Sequence, residues 1–537
     1  MTAKRLCFRN DAREKILRGV NALTDAVAVT LGPKSKCVLI DRKWGVPLVC
    51  NDGVTIAKEL EIEDPDENLG VKMLRQAAER TGDAVGDGTS TATILAQALF
   101  SEGLRNVVAG ASAIEIKRGL DQGAALVIQS LRSLSKPVTG RREKEQVATI
   151  SAHNDASIGA MVADAVERVG GEGVITVEEA KGIETSVQVV EGMQFDRGYL
   201  SPYFVNDTEK MQAILQRPRI LLCDRRIGNV NDLVPLLEAI VRDGRSLLVI
   251  AEEVEGEALA TLVVNKIRGT LQCAAVKAPA YGDRRREMQE DIAVLTGGKV
   301  LTQDLGITLG HVKLEDLGSA DRVSVGREET TIVVGHGDPG KIAGRIQQIR
   351  KQIDDSTSDY DREKLHERLS RLSGGVAVIR VGAPSEAEMK SRKEAFEDAI
   401  SSTKAAVAEG IVPGGGLALL RAITAVESIE KTAEGDLRTG LRILARALEA
   451  PARKIAENSG VEGGVVVQRM RDSKGNIGFD AARCIYVDLL EAGIVDPTKV
   501  VRSALENAVS VAGVLLLTEA TLTENRESPK EPVREVE

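Results

Sequence analysis

From Ala12 onward the apolar residues fall at Ile16, Leu17, Val20, Leu23, Ala26 and Val27, the i, i+3, i+4 spacing of an amphipathic helix. Gly32-Pro33 ends it. Residues 37–40 and 47–50 read as a short hairpin leading to a turn at Asn51-Asp52-Gly53. Helical periodicity returns over 69–84, 89–108 and 114–134. The middle of the chain then changes period. Strand-like runs at 219–223, 247–250 and 273–276 alternate with amphipathic helices at 233–242, 255–268 and 285–295, which predicts an α/β unit with a mainly parallel sheet. Helices are predicted again over 342–372 and 386–409, and from Gly416 to Leu517. Helical flanks around an α/β centre suggest one domain inserted into the chain of another. Residues 523–537, charged and nearly devoid of apolar side chains, predict a disordered tail.

Composition narrows the function. A chain of 537 residues exceeds the roughly 250–300 that one core can serve, and its length suggests about three or four domains. Aromatic residues are only 2%, and the net charge is −9. Base-stacking platforms and phosphate-binding surfaces need the opposite, so nucleic acid is not an expected partner. The six cysteines form no C-x-x-C pair and the four histidines are scattered, which gives no zinc-type metal site. There is no apolar leader region, and the longest apolar stretch, residues 508–517, is too short to span a bilayer. A cytoplasmic protein, with no membrane partner, is expected by elimination.

Four loops could carry chemistry. Gly86-Asp87-Gly88-Thr89-Ser90-Thr91 lies between two helical stretches, where free N–H groups and the helix dipole suit phosphate. Asp87 could hold the Mg²⁺ that accompanies a nucleotide. The bland alternative is a Gly-rich turn with Thr as helix cap. Thr30-Leu31-Gly32-Pro33, Asn51-Asp52-Gly53 and Gly414-Gly415-Gly416 share this ambiguity with ordinary turns. The P-loop pattern G-x-x-x-x-G-K-[ST] does not occur and none of these four loops has G-x-G-x-x-G, so a nucleotide site there must be of another type. Asp398, near Glu394 and Glu397, reads alone as part of a solvated acidic helix face. Leu259, Leu262, Val263 and Val264 form a wide apolar patch that is either core or an exposed groove.

Longer motifs carry more. NDAREKILRGVN (10–21), TLGPK (30–34), GDGTSTAT (86–93), EGMQFDRGYLSPYF (191–204), EGEALATLVVN (255–265), TSDYDREKL (357–365), AEGIVPGGG (408–416) and DPTKV (496–500) occur in one order along the chain. In that order and spacing the chain, from Cys7 to about Thr523, resembles the group I chaperonins, the bacterial GroEL family. The resemblance implies a multidomain α and α/β fold. Residues 1–133 and 410–523 would form a mainly helical, ATP-binding equatorial domain, 134–190 and 376–409 a small α+β intermediate hinge, and 191–375 an α/β apical domain, with 524–537 as tail. It further implies a homo-oligomer of two stacked heptameric rings.

Residue by residue, the resemblance assigns nucleotide contacts to Thr30, Leu31, Gly32, Pro33, Asn51, Asp87, Gly88, Thr89, Ser90, Thr91, Gly415, Asp480, Ala481, Ala482 and Asp496. Asp87 would be the Mg²⁺ ligand, and K⁺ a second ion requirement. Asp52 and Asp398 would activate the hydrolytic water, Asp398 arriving only on domain closure. Tyr199, Tyr203, Phe204, Val234, Leu237, Leu259, Val263 and Val264 would capture non-native proteins and the small heptameric co-chaperonin. Arg197 and Glu386 match an ion pair between subunits, and Arg453 and Glu462 match positions near the contact between rings. The implied activity is a chaperonin ATPase, classed as an isomerase, whose hydrolysis times the folding of enclosed clients.

This sequence departs from the pattern at Asn51, where many members have Lys, and at Ser35, Ala408 and Val234. Its tail lacks the Gly-Gly-Met repeats common in the family. Both aspartates remain, so the ATP-driven folding chaperone leads. A passive holding paralogue, supported only by Asn51 and the tail, is the alternative. A small-molecule kinase is a third class, for which no hydroxyl-binding pocket is evident.

Overall fold

The computed structural model describes residues 4–41, 47–170, 173–180, 182–190, 192–208, 210–302, 309–356 and 358–524. It divides into two compact units, one made of Met1–Asp164 with Ala383–Glu537 and the other of Ala165–Gly382. The segments assigned above to a hinge fall partly in each.

The first unit is helical. Arg9–Ala28, Pro65–Val85, Thr89–Val108, Ala113–Leu134, Leu417–Glu430, Gly435–Ala447 and Thr498–Leu517 share one aliphatic core. Their apolar stripes explain why: in Arg9–Ala28 the buried residues include Ile16, Val20, Leu23 and Val27, the positions the periodicity selects. Thr498–Leu517 corrects the membrane argument. As a helix of 20 residues it is long and apolar enough to cross a bilayer, twice the run counted from sequence. Most of it is instead packed against the Pro65–Val85, Thr89–Val108 and Ala113–Leu134 helices, which accounts for its composition.

Two further sequence expectations change within this unit, and one holds. The turn at 51–53 starts a helix, Gly53–Glu59, because the Asp52 carboxylate accepts from the Val54 and Thr55 amides and caps it. Val38–Ile40 and Leu48–Cys50 pair antiparallel, as the hairpin reading expects. The tail begins later than predicted: Ala520–Glu524 is a strand, antiparallel to Lys4–Phe8. Residues 525–537 lie outside the described residues.

The second unit is built on an eight-stranded sheet that is mixed rather than mainly parallel. Arg219–Ile227, Leu247–Val254 and Cys273–Lys277 run parallel, with Leu221 opposite Val249 and Val249 opposite Ala275, and Val300–Leu301 joins this half beside Arg219–Ile227. Gly318–Val325, Thr330–Gly335, Gly192–Phe195 and Ala213–Gln216 form an antiparallel half. The alternating helices disclosed only the parallel half, since antiparallel neighbours need no crossover helix. Helices Val234–Asp243 and Gly256–Ile267 are the crossovers. Val376–Val381, flanked by Val174–Glu179 and Ser186–Val190, makes a separate three-stranded sheet. The predicted helix over 342–372 is two, Pro339–Asp355 and Asp359–Ser373.

Candidate functional site

In the first unit the four loops meet at one cavity of about 670 Å³. Its wall includes all fifteen residues expected to contact nucleotide: Thr30, Leu31, Gly32, Pro33, Asn51, Asp87, Gly88, Thr89, Ser90, Thr91, Gly415, Asp480, Ala481, Ala482 and Asp496. Asp52 and Asp398 line the same cavity.

Local chemistry holds each loop. The Asn458 side-chain amide donates to the carbonyls of Ala28 and Leu31, both at 2.8 Å, and fixes the segment that follows the first helix. Thr30 Oγ1 lies 3.1 Å from Ser90 Oγ, linking that segment to the glycine loop. Gly86 and Gly88 take φ of 70° and 80°, left-handed values that favour glycine. A Cβ on Gly86 would lie 2.4 Å from the Ser401 side chain, and one on Gly88 2.6 Å from Val500. The helix Thr89–Val108 therefore begins without a side-chain cap, leaving its first amides available. At the far wall the Asp480 carboxylate accepts from the amides of Ala482 (3.0 Å) and Arg483 (3.2 Å), shaping the turn between Ile477–Asp480 and Ile485–Asp488.

The cavity is strongly acidic. Asp87 Oδ1 accepts from the Gly88 amide, while Oδ2 accepts from Ser402 Oγ at 2.6 Å and Ser151 Oγ at 2.9 Å. Burial, then the charges of Asp87 and Asp52, push the Asp398 carboxyl well above the usual carboxylate range. Burial, reinforced by Asp87, pushes Asp496 up to about 7. Carboxylates gathered in this way around a helix N-terminus suit an anion that arrives with its own cations, as a nucleotide triphosphate does. Among the described residues no three His, Cys, Asp or Glu side chains form a metal cage.

Asp398 is the residue sequence reasoning alone placed least well. Its helix, Glu386–Glu409, carries so many charges that its apolar pattern is faint, yet Asp398 faces Asp87 and Asp52. It lines the cavity. Residues that sequence reasoning missed are His153, whose Nε2 lies 3.2 Å from Asn51 Nδ2, and the serines on Asp87. Only the nearby motifs could have signalled them.

The apical candidates in the second unit divide by exposure. Tyr203, Val234 and Val264 are exposed, at 65%, 39% and 43%. Tyr199, Leu259 and Val263 are half-buried against the core. Phe204 and Leu237 are buried, at 0% and 8% exposure. Arg197 stacks over the Tyr281 ring, with 5.2 Å between guanidinium carbon and centroid. In the first unit Arg453 donates to Glu449 at 2.8 Å, and Glu462 is the residue before the helix Gly463–Asp472.

A nucleotide-type cavity in a helical unit made from both chain ends, with an α/β unit between them, defines an architecture that the comparisons identify. The model of the TCP-1/cpn60 chaperonin family matches residues 23–526. The protein named Chaperonin GroEL 5 of Bradyrhizobium diazoefficiens is 64% identical over 535 residues, covering 100% of this chain and 99% of its own length. The chain belongs to the TCP-1/cpn60 chaperonin family, as a group I, GroEL-like member.

Proposed function

We propose that this chaperonin is an ATPase that uses hydrolysis to time the capture, enclosure and release of non-native proteins. The observation that carries the reading is the convergence of Asp52, Asp87 and Asp398, from three separate elements, on one cavity at a helix N-terminus. The uncapped Thr89–Val108 helix and the Thr30–Pro33 segment would bind phosphates through amides and hydroxyls. Asp87 would hold Mg²⁺, which supplies charge neutralisation of the phosphates, and K⁺ would be a second ion requirement.

Asp52 and Asp398 would orient and deprotonate the attacking water. A base whose affinity for protons is raised is a better acceptor near neutral pH than an ordinary carboxylate, and Asp398 has this property. Its helix packs against Arg141–Ser151, so any movement of these helices changes the site.

The partition into equatorial, intermediate and apical domains with the boundaries given above belongs to this proposal. So do two stacked heptameric rings, a heptameric co-chaperonin lid, cytoplasmic location and the formal class of isomerase. Tyr203, Val234 and Val264 would bind apolar segments of clients and of the co-chaperonin, because exposed apolar surface binds such segments without sequence specificity.

Steady-state ATP hydrolysis with Mg²⁺ and K⁺, native protein against Asp398→Ala, tests the reading. Slow native turnover that falls by orders of magnitude in the variant is expected. Equal, negligible rates would favour passive holding, a reading supported by Asn51 bonding to His153 where many family members carry a lysine charge.

A further inference from the structure

Ser402 is fully buried, at 0% exposure, and lies one helical turn beyond Asp398 on Glu386–Glu409. Residues i and i+4 share a helix face, so both side chains are directed toward the loop at Asp87. Ser402 Oγ donates to Asp87 Oδ2 at 2.6 Å. Ser151 Oγ, at the end of the helix Arg141–Ser151, donates to the same oxygen at 2.9 Å, and the two hydroxyl oxygens are 3.1 Å apart. A carboxylate oxygen offers about two lone-pair sites. The two serines occupy those of Oδ2, and the Gly88 amide takes one of Oδ1. One acceptor position of Asp87 remains, on Oδ1.

We infer that Ser402, with Ser151, is a positioning residue: it fixes the rotation of the Asp87 carboxylate so that the free Oδ1 position meets the cation of bound nucleotide, and it ties the helix bearing Asp398 to that carboxylate. The inference rests on the ATPase reading and adds residues to it. Side chains that hydrogen-bond a metal-binding carboxylate orient it, and their loss typically weakens metal binding about 10- to 100-fold. Because Ser402 bridges the Asp398 helix to Asp87, its loss also loosens the placement of Asp398, a second effect that a merely packing serine lacks. The neighbouring approach of Ser401 to Gly86, which leaves no room for a Cβ, keeps this helix and loop at the distance the hydroxyl needs.

The test is Mn²⁺ binding, followed by electron paramagnetic resonance on the full-length protein saturated with ADP, together with the Mg²⁺ dependence of ATP hydrolysis. Ser402→Ala is expected to raise half-saturating Mn²⁺ about tenfold, to lower turnover at saturating Mg²⁺, and to leave the melting temperature nearly unchanged. Ser151→Ala is expected to act in the same direction and more weakly, its hydroxyl being farther from Oδ2. Native Mn²⁺ affinity and native Mg²⁺ dependence in both serine variants, in a protein that hydrolyses ATP and loses Mn²⁺ in Asp87→Ala, would overturn the inference alone. Failure of the native protein to bind Mn²⁺ with nucleotide would overturn the ATPase reading and the inference together.

Discussion

Asp66 Oδ1 accepts a hydrogen bond from Thr521 Oγ1 at 2.8 Å, across 455 residues of chain. Thr523 Oγ1 reaches the same oxygen at 3.2 Å, and Lys15 Nζ lies 3.1 Å from Oδ2. The carboxylate is fully buried, and through these contacts it fastens the last described strand to the start of Pro65–Val85.

Burial alone would raise the Asp66 pKa, but Thr521, Lys15 and Thr523 together hold it below the usual carboxylate range. A depressed folded pKa contributes stability that is present above the unfolded value and lost as pH falls through the folded one. Asp66→Ala leaves two buried hydroxyls and an ammonium short of a partner, and should destabilise the first unit by about 2–4 kcal/mol. Hydrogen exchange should show the amides of Ala520–Glu524 losing protection first, and native protein should show the same loss at acid pH. Unchanged protection in the variant would refute the role of this carboxylate.

The same strand shows where sequence reading failed. In Ala520–Glu524 the threonines point inward to Asp66 and Leu522 points out, so burial runs opposite to hydropathy, no strand is evident in the pattern, and the end of the segment, from Thr523, reads as tail. Arg9–Ala28 and Thr89–Val108 were legible because their buried positions are apolar at helical spacing. The loops of the cavity were legible as loops but ambiguous as chemistry. Thr30, Asp52, Asp87, Gly415 and Asp480 are far apart in sequence, and only folding brings them to one wall. Asp398 was indistinguishable from its solvated neighbours because its partners, Asp87 and Asp52, lie more than three hundred residues away. Long motifs, through the resemblance they carry, supplied what local pattern could not.

Asp398→Asn should stabilise the nucleotide-free protein while destroying turnover. The ionised side chain is disfavoured by burial and by Asp87 and Asp52, so its amide removes a repulsion at neutral pH. A melting temperature above native, with ATP hydrolysis lower by orders of magnitude, is the expected pair of outcomes. Destabilisation by the amide would show that the carboxylate is held by attraction instead.

Asp496 gives a pH signature. Its folded pKa of about 7 stands above the ordinary value of about 4. A raised folded pKa contributes stability that is complete below the unfolded value and lost as pH rises through the folded one. Nucleotide-free protein should therefore lose this contribution between about pH 4 and pH 7, and Asp496→Asn should flatten that part of the stability profile. Calorimetry across this range, comparing the two proteins, checks it; parallel profiles would contradict the assignment.

The proposed client-binding surface can be tested by setting an exposed residue against its buried neighbour. Tyr203 and Phe204 are adjacent in the short 3₁₀ turn Pro202–Phe204, yet one is 65% exposed and the other is sealed in the core of the second unit. Tyr203→Glu and Val264→Glu add charge where water already reaches, so each should change stability by less than about 1 kcal/mol. If these side chains meet clients, both variants should capture a denatured protein poorly, by light scattering during its dilution from denaturant, with ATP hydrolysis retained. Phe204→Glu buries an unpaired charge and should unfold the second unit outright. A loss of capture in Phe204→Glu alone would mean that folding of the unit, and not its exposed apolar face, is what clients require. Loss in all three, with native melting only in the first two, would locate binding on the exposed residues.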